Sequence, residues 1–275
     1  MKSLRRATRH DGSSDGFAAG ADFVQQVLAI ADGEVRKLRR DPTEVLTRSV
    51  QPILWLLVFG QVFGRSRAIP TGSLRYLDFM APGVLAQSVL FTAIFFGIAI
   101  IWERDLGIVH KMLVSPAYRS ALVLGKAASA GVRGLTQTII IYGVTLLLGI
   151  HVRLELLPVC GVLVAVLLGS AVFSTFSLVI ACIVKTRERF MGIGQVLTMP
   201  LFFASNAIYP ISMMPHWLQV IARGNPLTYL VDALRALMVR GGQSAFGLGT
   251  DVAVQLVTLV VLVLIAGRLY PSVAR

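Results

Sequence analysis

"SNAIYPISMMPHWLQVIARGNPLTYLVDALR", residues 205–235, decides how the rest of the chain is read. It follows an apolar run that reads like a membrane span, yet it carries Pro210, Pro215 and Pro226, with Pro200 just upstream, and Asn206, His216 and Asn225 among them. Proline cannot continue a helix without losing a backbone hydrogen bond. Residues 217–221 and 227–237 nevertheless keep a helical pattern. Unpaired backbone in lipid is costly, so non-helical chain at membrane depth must be shielded by protein or water. The spacing therefore predicts two short helices separated by "RGNP" that lie in or dip into the outer leaflet, with Trp217 and Tyr229 suited to the headgroup zone. Such a piece can close the outer end of a pathway. An ordinary extracellular loop with two surface helices fits the same residues.

Outward from this stretch, the chain is built for lipid. Charged residues are 15% of it, against about 25% in soluble domains. Stretches close to the twenty residues that cross a bilayer as helix recur throughout. The pattern predicts an all-α membrane protein with six spans, at about 44–64, 77–102, 122–150, 156–184, 191–211 and 252–269. The third has its apolar heart at 135–150, and it projects into the cytosol with Arg133 snorkelling at the interface; a charged residue lining a pathway is the other reading. Ahead of the spans, residues 22–41 form an amphipathic helix. Val24, Leu28, Val35 and Leu38 lie on its apolar face, and basic residues cluster at one end, as on an anionic inner leaflet. Packing on the protein itself is the alternative. Residues 1–21 read as a disordered cytosolic tail without the apolar segment of a signal peptide. Residues 42–275 form the transmembrane domain.

The net charge of +12 is read as a membrane signature rather than a nucleic-acid one. With the N-terminus inside, eighteen Lys and Arg fall on the inner side and seven on the outer, with Arg133 left at the interface. That bias places both termini in the cytosol and residues 205–251 outside, Arg235 among the outer-side charges.

Catalytic constellations are missing. The four histidines are scattered, and no metal-ligand cluster or nucleophile elbow appears. Cys160 and Cys182 sit in apolar runs. "SALVLGKA" at 120–127 lacks the first glycine and the hydroxyl residue of a phosphate-cradling loop, so the chain binds no ATP of its own. None of the fourteen acidic residues falls in the middle of a span, which disfavours an ion-coupled carrier. What remains is a membrane body without a motor. The segment 102–126, "WERDLGIVHKMLVSPAYRSALVLGK", suits a short amphipathic linkage seated in a partner's groove, or a loop helix resting on the membrane.

These residues resemble the ABC-2 type permeases, above all the daunorubicin-resistance and nodulation-factor exporter group. The segment resembles the family form near E-R-E-x-G-T-x-E-x-L-L-V-S-P, with departures at Asp105, Ile108, Val109 and His110. The patterns N-x-x-Y-P-x-x-x-x-P-x-W-L and N-P-L-T-Y-x-x-x-x-x-R are matched from Asn206 and Asn225. The resemblance implies six spans, an N-terminal interface helix, and a dimer with a second permease copy or paralogue. It implies two separate ABC ATPase subunits that carry the ATP and Mg. The coupling segment would be Arg104, Leu106, Gly107, Lys111, Leu113 and Pro116. The outer gate or substrate path would hold Phe202, Phe203, Asn206, Tyr209, Pro210, Pro215, Trp217, Asn225 and Pro226, with spans one, two and five as its lining. The implied activity is export of a hydrophobic drug, lipid or lipid-linked glycan across a bacterial cytoplasmic membrane. A self-contained secondary carrier, a membrane enzyme acting on lipid and a non-transporting anchor subunit are the competing classes.

Overall fold

The computed structural model describes residues 42–66, 69–105, 119–184 and 186–269. They form α1 (Pro42–Leu54), a π-helical turn (Trp55–Phe59), α2 (Gly60–Ser66), α3 (Tyr76–Asp105), α4 (Arg119–Leu147), α5 (Leu156–Ile183) and α6 (Arg187–Phe203). A 3-10 turn (Ile211–Met213), α7 (His216–Gly224), α8 (Pro226–Met238) and α9 (Leu248–Leu269) complete the order. The all-helical expectation holds among the described residues. The interface helix with Val24, Leu28, Val35 and Leu38 lies outside them, as does the coupling segment from Leu106 to Pro116.

Among the described residues, four helices are long and apolar enough to cross a membrane: α3, α4, α5 and α9. The expected first span is a continuous helical run interrupted by the π turn, which begins three residues after Pro52. Proline withholds an amide from the α-helical ladder and crowds the preceding turn, a usual cause of local rewinding. The expected fifth span stops at Phe203, several residues short of the position read from its hydropathy.

The middle of the molecule is α3, whose membrane segment is almost wholly buried. Apolar residues occur all round this segment, as a helix enclosed by others requires. Lipid supplies no hydrophobic drive between helices, so close backbone approach and interhelical hydrogen bonds hold them. Ser177 of α5 shows both: its hydroxyl donates to Ile94 O at 2.6 Å and accepts from Gly97 N at 2.9 Å. A Cβ at Gly97 would strike the Phe190 ring. At Gly83 the contact is backbone: an added Cβ would lie 2.7 Å from Ala207 Cα. By contrast, few residues of α9 are fully buried, and one side of it is exposed along its length.

The helical ends near α8 are tied by short extended segments. Val152 and Val239 form an antiparallel bridge, with Arg153 N donating to Met238 O at 2.8 Å and Arg240 N to His151 O at 2.9 Å. Nearby, Arg75 grips Asp78 through Nε at 3.1 Å and Nη2 at 3.0 Å, and also donates to Gly149 O at 2.6 Å. The α4–α5 connection is thus fastened both to the start of α3 and to the end of α8.

Gly83→Ala is expected to destabilise the chain by about 1–3 kcal/mol, because the backbone it meets cannot yield as a side chain can. Gly143→Ala, whose Cβ meets nothing within 4 Å, is expected to be neutral or stabilising. Thermal unfolding of both variants in lipid nanodiscs checks the contrast.

Candidate functional site

The site is the break after α6 and the helix that folds back over it. Pro200 lies in the last turn of α6, and the chain leaves the helix at Ala204. Its final carbonyls then need donors. Asn225 Nδ2 donates to Leu201 O at 2.7 Å and approaches Ala204 O at 3.3 Å. Tyr209 donates its hydroxyl to Phe203 O at 2.6 Å. Arg235 Nη2 donates to Asn206 O at 2.6 Å.

The same residues build α8. Asn225 Oδ1 accepts from Leu227 N at 2.9 Å, an N-cap worth about 1 kcal/mol, and Pro226 takes the first helical position, where a missing N–H costs nothing. So one side chain, Asn225, caps the start of α8 with its oxygen and the end of α6 with its nitrogen. Tyr229 ties the preceding turn by donating to Arg223 O at 2.6 Å.

Asp232 and Arg235 form the centre. Both are buried, at 1% and 5% exposure, and Arg235 Nη1 stands 3.6 Å from Asp232 Oδ1. Asn206 Nδ2 reaches the same oxygen at 3.3 Å. The other carboxylate oxygen accepts from Ala245 N at 2.6 Å and Phe246 N at 3.1 Å, with Ser244 Oγ at 3.0 Å. Ser244 also lies 2.8 Å from Asp251 Oδ2, and its single proton serves one carboxylate at a time. The Arg235 guanidinium sits 3.9 Å above the Phe79 ring. Burial pushes the Arg235 pKa down to about 10, with the Asp232 carboxylate opposing the shift, so it stays charged at neutral pH. Gln255 of α9 donates to Pro226 O at 2.5 Å and joins the last helix to the network. A cavity of about 440 Å³ adjoins it, lined by Thr71, Ser73, Ser212, Asn206, Asp232 and Arg235 among others.

The residues expected along the gate separate into two groups. Asn206 and Asn225 are buried in the network, and Pro226 starts α8. Tyr209 and Pro210 are half-buried beside it. Phe202 is buried in an aromatic cluster, its ring 5.7 Å from Trp55, while Phe203 is 41% exposed. Pro215, the residue before α7, and Trp217 stand apart and exposed, and on α7 Trp217, Val220 and Ile221 form an apolar stripe. The sequence reading missed Asp232, Ser244, Asp251 and Gln255, and it counted Arg235 only as one of the outer-side charges. The available signal was "LVDALRALM": two opposite charges at i and i+3 in an otherwise apolar helix. The coupling residues are not placed; Arg104 falls in the last turn of α3, and Leu106, Gly107, Lys111, Leu113 and Pro116 lie outside the described residues.

A second row of aromatics runs along the first helical segment. Trp55 stacks on Phe59 at 4.3 Å, Phe59 on Phe63 at 6.0 Å, and Phe63 meets Tyr76 edge-on at 5.7 Å. In an α-helix four residues overshoot a full turn, and the wider π turn takes up that overshoot. The rings thereby stay on one face.

Long apolar helices locked by buried polar contacts define a polytopic helical membrane protein. The chain belongs to the ABC-2 type transporter family, whose model matches residues 25–239, and is a membrane subunit of an ABC transporter. It is 28% identical over 223 residues to the transport permease ycf38 of Cyanophora paradoxa, covering 78% of this chain and 74% of the other. It is 27% identical over 198 residues to the daunorubicin resistance ABC transporter permease protein DrrB1 of Streptomyces coeruleorubidus, covering 72% and 69%. It is 26% identical over 235 residues to the doxorubicin resistance ABC transporter permease protein DrrC of Mycobacterium tuberculosis, covering 85% and 83%. The family implies ABC ATPase partners and a membrane subunit that is not itself an enzyme.

Arg235→Ala and Asp232→Ala are each expected to destabilise the protein by about 3–5 kcal/mol, since each leaves a buried charge unpaired. The double variant is expected to lose less than the sum, because one network is broken in both. Thermal unfolding of the three variants in nanodiscs measures the coupling.

Proposed function

We propose that this chain is the transmembrane subunit of an ATP-driven exporter that moves a hydrophobic drug, lipid or lipid-linked glycan out of the cytoplasm or inner leaflet. The observation that carries the reading is the family match over 25–239, which takes in the membrane helices and the broken stretch together. The names of the resistance permeases favour a hydrophobic drug within that range. Two ATPase subunits supply ATP and Mg from outside this chain, and two permease copies pair as a homodimer in a bacterial cytoplasmic membrane. Both termini are cytosolic.

In this reading α1 with its π turn and α2, and α6 with the break, complete six crossings. The N-terminal residues 22–41 lie along the inner leaflet. The aromatic row at Trp55, Phe59 and Phe63, in which Phe59 is exposed and the other two are half-buried, is joined to Phe203 through Trp55 and supports a path lined by spans one, two and five. Closure of the ATPases is delivered through residues 104–116. The folded-back α7 and α8 form the outer lid, with Phe202, Phe203, Asn206 and Tyr209 nearest the gate.

The buried carboxylates Asp232 and Asp251, which share Ser244, are the observation that favours an ion-coupled carrier instead. Asp232 has its acceptor positions filled by backbone and side-chain donors, which argues for a structural anion rather than a proton carrier.

A pull-down from native membranes through a tag on the C-terminus tests the exporter. Recovery of an ATPase subunit is expected, with export lost and assembly kept in a Leu113→Asp variant. The purified chain alone is expected to hydrolyse no ATP. Turnover by the isolated subunit, or transport driven by a pH gradient without an ATPase, sinks the proposal.

A further inference from the structure

We propose that the cavity between α1 and α3 is a binding subsite for one uncharged hydroxyl- or amide-bearing group of the transported molecule. The Gln87 carboxamide is its recognition element. The proposal rests on the reading of this chain as the transport path and names a chemistry that path selects.

The cavity measures about 90 Å³ and is lined by Thr47, Gln51, Pro52, Gln87, Ser88, Thr92 and two phenylalanines. Gln87 is 1% exposed, and neither atom of its amide has a hydrogen-bond partner among the described residues. It lies eleven residues into α3 from Tyr76, about 16 Å along the axis and so near the middle of a bilayer core. An unpaired amide at that depth is costly, so the arrangement persists where something supplies the missing donor and acceptor. The neighbours do not. Ser88 donates to Val84 O of its own helix at 2.9 Å. Ser49 of α1 donates elsewhere, to Gln137 of α4 at 3.3 Å.

Three features set the ligand chemistry. A carboxamide presents one acceptor and donor hydrogens side by side, and a hydroxyl or amide answers both. Among the described residues no charged side chain lines the cavity, so an ionised group finds no compensation from them. The volume holds about three waters at roughly 30 Å³ each, enough for one polar group and too little for a whole drug or lipid. The remainder has a place to lie: Thr47, Gln51 and Phe95 at the rim are exposed, and Val50 and Leu54 on α1 are each 52% exposed.

The test uses the full chain in lipid nanodiscs, titrated with 2-naphthamide and with 2-methylnaphthalene, binding to empty discs being subtracted. The two probes share one apolar body and differ in the amide. The native chain is expected to prefer the amide probe about tenfold, the factor that one net hydrogen bond supplies. Gln87→Leu is expected to bring the preference to about twofold or less. Gln51→Leu alters only the exposed rim and stands in if the first variant does not fold; it is expected to lower the preference about threefold. A native chain with no preference, as when water alone or a second copy fills the cavity, overturns the proposal. So does a preference that survives the substitutions. If the preference holds while no ATPase is recovered from membranes, the exporter reading fails and the subsite stands. If an ATPase is recovered and the preference is absent, the subsite alone fails.

Discussion

A helix that stops inside a membrane protein must find donors for its last carbonyls, and much of this structure answers that constraint. The carbonyls of Leu201, Phe203, Ala204 and Asn206 are left by the break after α6, and Asn225, Tyr209 and Arg235 supply the hydrogens. In water such groups would be hydrated at little cost; away from it they must be paired within the protein. Helix α8 is therefore apolar nearly all round and yet carries two charges. Arginine suits the task because its planar fork reaches a carbonyl with one nitrogen and a carboxylate with another, where lysine presents a single point charge.

Burying that arginine brings its own requirement. A buried ion pair is weak as a source of stability, since desolvation offsets much of the attraction. Its value here is geometric. Asp232, held opposite Arg235, has an oxygen left over, and the backbone amides of Ala245 and Phe246 close on it. That fixes the entry to α9, and Gln255 repeats the attachment about two turns into the helix. The Arg75–Asp78 pair and the Val152–Val239 bridge fasten the α4–α5 connection to the same end. Backbone accounting at a single break thus spreads into the fastening of a whole end of the bundle.

How much of this was legible in the sequence depended on range. Span positions follow from local composition, and α3, α4, α5 and α9 lie close to where hydropathy put them. The two short helices after the break were readable because proline and asparagine act on their immediate neighbours. The end of α6 was misplaced by several residues, because the apolar run continues through Ala204, Ala207 and Ile208 after the helix has ceased. Those residues are buried by packing on α3 rather than by helical geometry, as the Gly83–Ala207 contact shows. Arg235 was read as helical but counted simply among the charges of the outer side, because a charge between spans is usually solvated. Asp232, three residues away, was in view, but only the fold reveals partners as distant as Phe79 and Asn206. Gln87 was likewise invisible: one glutamine in an apolar helix carries no periodic signal, and its significance is a cavity formed with a different helix.

The exposed surface itself contains two kinds of apolar face, and their difference bears on what each meets. Along α9 the exposed large hydrophobic side chains are Leu248, Val252, Leu256, Val257, Val260, Val261, Leu264 and Ile265, an aliphatic stripe matched to lipid tails, with exposed Thr250 and Arg268 confined to the helix ends. Along α1, the π turn and α2, exposed Val50, Leu54, Val58 and Val62 are interspersed with exposed Thr47, Gln51, Gln61 and Arg65 and with the aromatic row. The nearby α6 exposes Gln195 beside Met191 and Val196. Amide and hydroxyl groups gain nothing from hydrocarbon, whereas water, a polar substrate or another protein surface can pair them. Lipid alone therefore accounts for the α9 face and not for the α1–α6 face. The interrupted helix, the aromatic row and the cavity at Gln87 all fall on or beside this second face, the one whose composition calls for a partner other than lipid.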